Sequence, residues 1–198
     1  TIMAWYHPEE IDPLWEPDIY TEAIDDNWSN FDKYEYRFGA HLQETAENGA
    51  DSAHFVYVHG TSTLPEWEFS YEDHKRLGVM KAKMPTPRGE VDGAINLFGS
   101  GPGQSATRFT GICETFLMGL PTPIDSENME LRFAFSQEKI KGETPKGGVA
   151  AAIIADINKQ VKEDIPIWEN KKYLDNPILC AKDGPIAGFR RWFSQFYS

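Results

Sequence analysis

Two histidines, an aspartate and an asparagine lie close together in the segment ENGADSAHFVYVHG (residues 47–60). Asn48, Asp51 and His54 follow one another at intervals of three residues, and His59 comes five residues after His54. Residues three apart share one face of an α-helix, whereas a step of five turns the second imidazole about 140° away from the first. The two histidines therefore converge only if the helix ends between them.

Two neutral imidazoles and one carboxylate form the ligand set of non-haem Fe(II) oxygenases, which leaves coordination positions open for oxygen and substrate. The carboxylate must then come from elsewhere in the chain. Asp164 is the preferred candidate because it stands where the polar run KQVKED meets the apolar run IPIW. Glu163, about 100° around the same predicted helix, is the alternative ligand. Asp51, one turn before His54, is a candidate for orienting an imidazole through its second nitrogen.

The histidines are predicted to follow a strand. KYEYRFGA (33–40) alternates like a strand with one buried face, and the polar, helix-favouring run HLQETAENGADSAHF (41–55) comes next. Gly49 weakens this helix by about 1 kcal/mol relative to alanine. The β-branched Val56 and Val58 favour an end of the helix before His59.

The remaining elements predict an α+β order. Short β-rich runs separated by turn residues predict further strands of a sequential antiparallel sheet over 66–72, 77–84, 93–99, 106–120 and 129–137. A long amphipathic helix is expected over 149–173, interrupted or kinked at Pro166, and a short helix over 185–197. We therefore expect one domain over residues 1–198, with an irregular entry segment at 1–30 and helices packed on one face of the sheet.

Composition limits the kinds of partner. The chain has 198 residues and a formal net charge of −12, which disfavours nucleic acids and anionic membrane surfaces. No run approaches the roughly 18 apolar residues of a membrane span. Two cysteines are too few for a disulfide framework, so we expect a reducing, cytoplasmic location. A cavity between sheet and long helix would suit an apolar ligand, and the runs AINLF and ETFLMGL either line it or belong to the core.

Two segments carry a family resemblance. ENGADSAHFVYVHG resembles the iron-binding motif of Rieske-type oxygenase α subunits, Asp-x2-His-x4-His preceded by Asn. The final run EDIPIWENKKYLDNPILCAKDGPIAGFRRWFSQFY resembles the end of 3-ketosteroid 9α-hydroxylase oxygenase components and of the related sterol 7-desaturases. The resemblance implies a helix-grip (START-like) fold, in which an antiparallel sheet wraps around a long C-terminal helix.

The resemblance also implies roles for the candidate residues. His54, His59 and Asp164 would bind Fe(II), and Asn48 would line the iron site. Asp51 would bridge a ligand histidine to a Rieske-cluster histidine from a neighbouring subunit of a homotrimer. The implied reaction is O2-dependent hydroxylation or desaturation of a steroid-like apolar substrate. NAD(P)H would supply electrons through a separate reductase.

The chain departs from the family pattern in one respect. A Rieske [2Fe–2S] cluster takes two cysteines and two histidines, in paired Cys-x-His and Cys-x2-His segments, and this sequence contains neither. The cluster is therefore expected on an N-terminal domain that was removed or cleaved from this chain, or on another chain. Two other readings of the same residues stay open. One is a metal-free helix-grip domain that binds lipid or steroid, and the other is a Zn-dependent hydrolase with the same three ligands.

Overall fold

The computed structural model describes residues 2–62, 64–86, 89–180 and 183–197, without the side chains of 82–86 and 89–90. Within these ranges the chain forms a seven-stranded antiparallel sheet and four α-helices, with 3-10 turns at Thr21–Ala23 and Ser194–Phe196. The strands are β1 (Asp32–Gly39), β2 (Trp67–Glu72), β3 (Lys75–Thr86), β4 (Gly89–Ser100), β5 (Gln104–Thr110), β6 (Thr115–Pro123) and β7 (Asn128–Gln137). The helices are α1 (Leu42–Asn48), α2 (Ser52–Tyr57), α3 (Gly148–Asn170) and α4 (Ile186–Phe193).

The strand order forces one connection to cross the sheet. β2 to β7 follow one another as antiparallel neighbours, but β1 pairs with β7 and stands at the opposite edge from β2. Six strand spacings of about 4.8 Å separate these edges, roughly 29 Å in all. The connection of residues 40–66 carries α1 and α2, and at Gly49 it lies directly against Leu97 of β4. The histidine-bearing segment therefore crosses one face of the sheet.

The long helix α3 packs on the same face, at the β1 end. Its buried positions recur every three or four residues and are Ala150, Ile154, Asn158, Val161, Asp164 and Trp168. Trp168 stacks on Phe38 of β1, with ring centroids 5.3 Å apart. Ile154 packs with Leu117 of β6 and Phe135 of β7. Helix α3 thus covers β1, β7 and β6. The crossing connection lies beside it on the same face, where it contacts β4.

The expected α+β order is confirmed, with three corrections. The interruption predicted at Pro166 is wrong, because α3 continues through it to Asn170 and the proline lies on the exposed side. The run 106–120 is two strands, separated by a turn in which Gly111 has φ +118° and lies against β4. The single helix predicted over 41–55 is α1 and α2. No helix in the described ranges is long and apolar enough to cross a membrane.

Helix α4 covers the other end of the same face. Phe189 and Phe193 are fully or almost fully buried, and they pack with Ala50 of the crossing connection. Beneath them lies Arg76 of β3, which is buried and whose Nη1 donates a hydrogen bond to the Ala46 carbonyl at 2.8 Å. Its guanidinium also lies 5.2 Å from the centre of the Phe189 ring. Arg76 thereby ties the end of α1 to the sheet.

The entry segment covers the opposite face. Successive strand residues point to opposite faces, so Phe116 points away from α3 while its neighbour Leu117 points toward it. Tyr20 packs on Phe116 with ring centroids 5.3 Å apart. Arg108 of β5 donates to the Glu22 carboxylate at 3.0 Å. The irregular entry segment thus contributes Tyr20 and Glu22 to the buried interior, while most of its residues are exposed.

An ion-pair network joins α1 to the C-terminal segment. The Glu47 side chain is 4% exposed and accepts hydrogen bonds from Arg190 at 2.6 and 3.0 Å and from Lys171 at 3.1 Å. Burial by itself raises the pKa of Glu47, but the hydrogen bonds and charges of Arg190 and Lys171 outweigh it. The pKa of Glu47 therefore lies below its usual value, and the carboxylate holds α1 beside the loop after α3.

We expect Glu47→Gln to lower the free energy of unfolding at pH 7 by about 2 kcal/mol, because a buried charge-assisted network is broken. A lowered folded-state pKa means that the stabilisation is complete above the unfolded value of about 4.3 and is lost as the pH falls through the folded value. Urea unfolding between pH 7 and pH 3.5 should therefore show the two proteins converging at low pH. The exposed Glu68→Gln serves as control and should match the wild type. A deficit independent of pH would contradict the prediction.

Candidate metal centre

A break between α1 and α2 positions the first histidine. α1 ends at Asn48, and Gly49 approaches the sheet so closely that an added Cβ would lie 3.3 Å from the Leu97 side chain. Asp51 then caps α2, because its Oδ1 accepts the backbone N–H groups two and three residues further on, at 3.0 and 3.3 Å. The expectation that Asn48, Asp51 and His54 line one continuous helix is therefore wrong. They are brought together by the break.

Helix α2 ends between the two histidines, as their convergence requires. Tyr57 is its last residue, and the N–H groups of Val58 and His59 both point to the His54 carbonyl, at 2.7 and 3.4 Å. The two imidazole rings then lie 5.0 Å apart, with their planes at 82°. The predicted end of the helix before His59 is confirmed.

Asp164 joins the histidines from the buried side of α3. Its Oδ1 lies 3.3 Å from Nε2 of His59, and its Oδ2 accepts a hydrogen bond from Nδ2 of Asn48 at 3.1 Å. The same Asn48 nitrogen lies 3.2 Å from Nε2 of His54. One ligand atom from each of His54, His59 and Asp164 lies within 4.8 Å of the other two. The structure thus assembles three of the residues that the sequence singles out, around the amide of a fourth.

The second nitrogen of each histidine has its own acceptor. Nδ1 of His54 donates to the main-chain carbonyl of Asp51, and Nδ1 of His59 donates to Oε2 of Glu163 at 3.0 Å. These bonds leave Nε2 of both rings free to act as ligand. The carboxylate of Asp51 does not contact the His54 ring; it caps α2. The orienting contact expected from Asp51 is therefore present, but through its main chain.

Burial sets the protonation states. His54 is 8% exposed, and burial lowers its pKa, which favours the neutral imidazole that a metal requires. Asp164 is 5% exposed, and burial raises its pKa to about 6 in spite of the hydrogen bond from Asn48. A desolvated carboxylate beside the imidazole nitrogens is an arrangement that a bound cation would stabilise.

The donor set fits a divalent transition metal. Two imidazole nitrogens and a carboxylate oxygen suit Fe(II) with positions left open. Ligand atoms at bond lengths near 2.1 Å and right angles stand about 3 Å apart. The His59–Asp164 separation of 3.3 Å is already close to that value. The Asn48 amide nitrogen lies 3.2 Å from His54 Nε2 and 3.1 Å from Asp164 Oδ2, so His54 and this amide would both adjust when a metal binds.

The sequence identified only part of the apolar surface beside this site. The register Phe69↔Gly78↔Leu97↔Thr107↔Leu117 places the inner-facing side chains of β2 to β5 on the face that carries α3. They are only partly buried and include Trp67, Phe69, Met80, Ile95, Leu97 and Phe109. Of the two runs considered for the cavity, AINLF contributes to this surface. ETFLMGL belongs to the core on both sides of the sheet.

Comparison with known proteins identifies the family. Residues 4–197 match the family model described as the 3-ketosteroid 9α-hydroxylase C-terminal domain. The chain belongs to this family. Cholesterol 7-desaturase of Caenorhabditis elegans is 29% identical over 232 residues, covering 100% of this chain and 52% of the relative. A probable 3-ketosteroid-9-alpha-monooxygenase oxygenase component of Rhodococcus rhodochrous is 27% identical over 221 residues, covering 99% and 54%. The chain spans about half the length of these relatives.

Solved structures show the same fold. NdmA of Pseudomonas putida CBB5 with caffeine has a TM-score of 0.71 at 16% identity, covering 90% of this chain and 55% of that chain. Dicamba monooxygenase bound to dicamba has a TM-score of 0.68 at 15% identity, covering 96% and 64%. The family resemblance and the fold class expected from the sequence are confirmed.

We expect Asp51→Ala to lower the free energy of unfolding by about 1 kcal/mol, because α2 loses its cap. Asp51→Asn should stay close to the wild type, since an asparagine side chain caps equally well. Thermal or urea unfolding of the metal-free protein measures both. Equal destabilisation by the two substitutions would show that the charge, and not the cap, matters to the fold.

Proposed function

We propose that this chain is the catalytic domain of the oxygenase component of a Rieske-type monooxygenase, acting on a steroid-like apolar substrate with O2. The observation that carries the proposal is the convergence of His54, His59 and Asp164 within 4.8 Å inside a domain of the 3-ketosteroid 9α-hydroxylase family. The names of the relatives, a ketosteroid monooxygenase component and a cholesterol desaturase, support both the substrate class and the two outcomes, hydroxylation or desaturation.

The three converging residues would hold Fe(II), which when bound supplies a redox centre for activating O2 beside the substrate. His54 and His59 present Nε2, because Nδ1 of each ring is engaged. The amide of Asn48 holds Oδ2 of Asp164, which leaves Oδ1 directed at His59. Asn48 therefore orients the acid and closes the space between the acid and His54.

An apolar polycycle suits the surface next to this site. Side chains of β2 to β5 on the α3 face, among them Met80, Ile95 and Leu97, are only partly covered by the helices. Burying such surface against an apolar ligand is favourable by roughly 25 cal/mol per Å². The same contacts would exclude water from the reacting carbon.

Asp51 supports a route for electrons. Its Oδ1 caps α2, while within the described residues its Oδ2 has no hydrogen-bond partner. Asp51 also lines an open surface cavity of about 440 Å³. A Rieske-cluster histidine from a neighbouring subunit would reach this carboxylate there, in a homotrimer supplied by a separate NAD(P)H-dependent reductase. The Asp51 main chain then leads directly to His54.

The cytoplasmic location stays a prediction.

Metal analysis tests the proposal. After anaerobic reconstitution with Fe(II), the wild-type chain should hold close to one iron, and the double variant His54→Ala/His59→Ala should hold almost none. Asp164→Ala should weaken binding strongly. Equal, negligible metal in all proteins would favour the metal-free lipid-binding domain. Preferential Zn retention together with hydrolysis of an ester substrate would favour the hydrolase.

Electron transfer is tested by Asp51→Asn in a protein that includes the Rieske domain. We expect iron content and folding to stay unchanged, while turnover with reductase and NADH falls about 100-fold, as for other groups that act through a ligand. The chain of 198 residues alone should give no NADH-dependent product, because it has no cluster ligands. Wild-type turnover by Asp51→Asn would remove Asp51 from the electron route.

A further inference from the structure

His59 is held between the carboxylates of two adjacent residues. Oε2 of Glu163 lies 3.0 Å from Nδ1, and Oδ1 of Asp164 lies 3.3 Å from Nε2. The His59 side chain is 2% exposed, so water does not replace either contact. Adjacent helical residues differ by about 100° in direction, which lets one turn of α3 reach both edges of the same imidazole.

The two carboxylates differ in exposure. The side chain of Asp164 is 7% exposed, whereas that of Glu163 is 32% exposed and also lies 3.3 Å from Nζ of Lys159. The contact of His59 Nδ1 with Oε2 of Glu163 has the geometry of a hydrogen bond, whereas the contact of Nε2 with Oδ1 of Asp164 is longer, at 3.3 Å, and lacks that geometry. The carboxylate oxygen of Glu163 accepts this bond, which places the ring hydrogen of His59 on Nδ1.

His54 is oriented in another way. Its Nδ1 donates to the main-chain carbonyl of Asp51, an acceptor that carries no charge and that no side-chain substitution removes. The acceptor for His59 is an anionic side chain that a single substitution does remove. The two histidines of the site therefore have different supports.

We propose that Glu163 is a positioning residue of the metal centre: its carboxylate fixes the tautomer and ring direction of His59 so that Nε2 faces Asp164. This inference rests on the proposed function, because it concerns the same three ligands. Glu163 is then not the third ligand, although it is next to Asp164 in sequence. Lys159, whose side chain is 68% exposed, contributes little to the arrangement.

The tautomer is measurable in the metal-free protein. Long-range 1H–15N NMR spectra of 15N-histidine-labelled protein should show hydrogen on Nδ1 and a bare Nε2 for His59. In Glu163→Ala this preference should be lost for His59 and kept for His54. Glu163→Gln should restore it, because the amide oxygen accepts the same hydrogen bond. Asp156→Asn, which removes an exposed acid from the same helix, is the matched control and should change neither ring.

Metal affinity gives the second readout. Titration with Co(II), followed by its visible absorption, should show affinity 10- to 100-fold lower for Glu163→Ala, the usual loss when a ligand's hydrogen-bond partner is removed. Glu163→Gln should recover most of the loss, and Asp156→Asn should bind like the wild type. Thermal unfolding of the metal-free proteins checks that all variants are folded.

Three results would overturn or redirect the inference. Wild-type affinity and tautomer in Glu163→Ala would refute it. Complete loss of binding in Glu163→Ala, with binding retained in Asp164→Asn, would make Glu163 the ligand instead. If the wild-type chain binds neither Co(II) nor Fe(II), the proposed function fails, and the His59 tautomer in the metal-free variants still decides whether Glu163 holds the ring.

Discussion

A carboxylate buried against an imidazole and an amide is the interaction around which the rest of the domain is arranged. Asp164 is 5% exposed, and burial raises its pKa to about 6, so the protein alone disfavours the charged form. Val161 and Trp168, on the same side of α3, bury apolar surface against β1 and β7 and hold the acid in place. A cation between Asp164 and the histidines would reverse this preference, because its positive charge stabilises the ionised carboxylate. The site is thus built at a cost to stability that binding would offset.

Sheet topology explains why the histidines reach that acid. β1 and β2 stand at opposite edges, so the connection between them crosses the sheet, and it does so on the face on which α3 lies. Gly49 lets the chain cross close to the sheet, because a Cβ at this position would lie 3.3 Å from the Leu97 side chain and crowd it. Arg76 holds the same point from below through the Ala46 carbonyl. The break that follows sets Asp51 and α2 at the angle that places His54 beside Asn48.

The sequence predicts those parts of the fold and site that depend on local periodicity. Alternation predicts the antiparallel strands, and the spacing of His54 and His59 requires the helix end that the structure has. The sequence does not predict the break after Asn48, because the break depends on contacts with Leu97 and Arg76, which are distant in sequence. Helix α3 continues through Pro166, which lies on its exposed side. The sequence period alone does not show which side of the helix is exposed. For the same reason the sequence leaves Glu163 as an alternative to Asp164, because it does not show which of the two acids lies on the buried side.

Asp51 has two separate structural roles, one for its side chain and one for its main-chain carbonyl. Its side chain caps α2 through Oδ1, and its carbonyl accepts the His54 ring hydrogen. The cap fixes the direction of α2, and the carbonyl fixes the ring at the start of the same helix. Because both bonds come from one residue, any shift of Asp51 moves the His54 ring and its Nε2 together. A group docking on the free side of the Asp51 carboxylate would therefore be connected, through one residue, to the proposed metal position at His54.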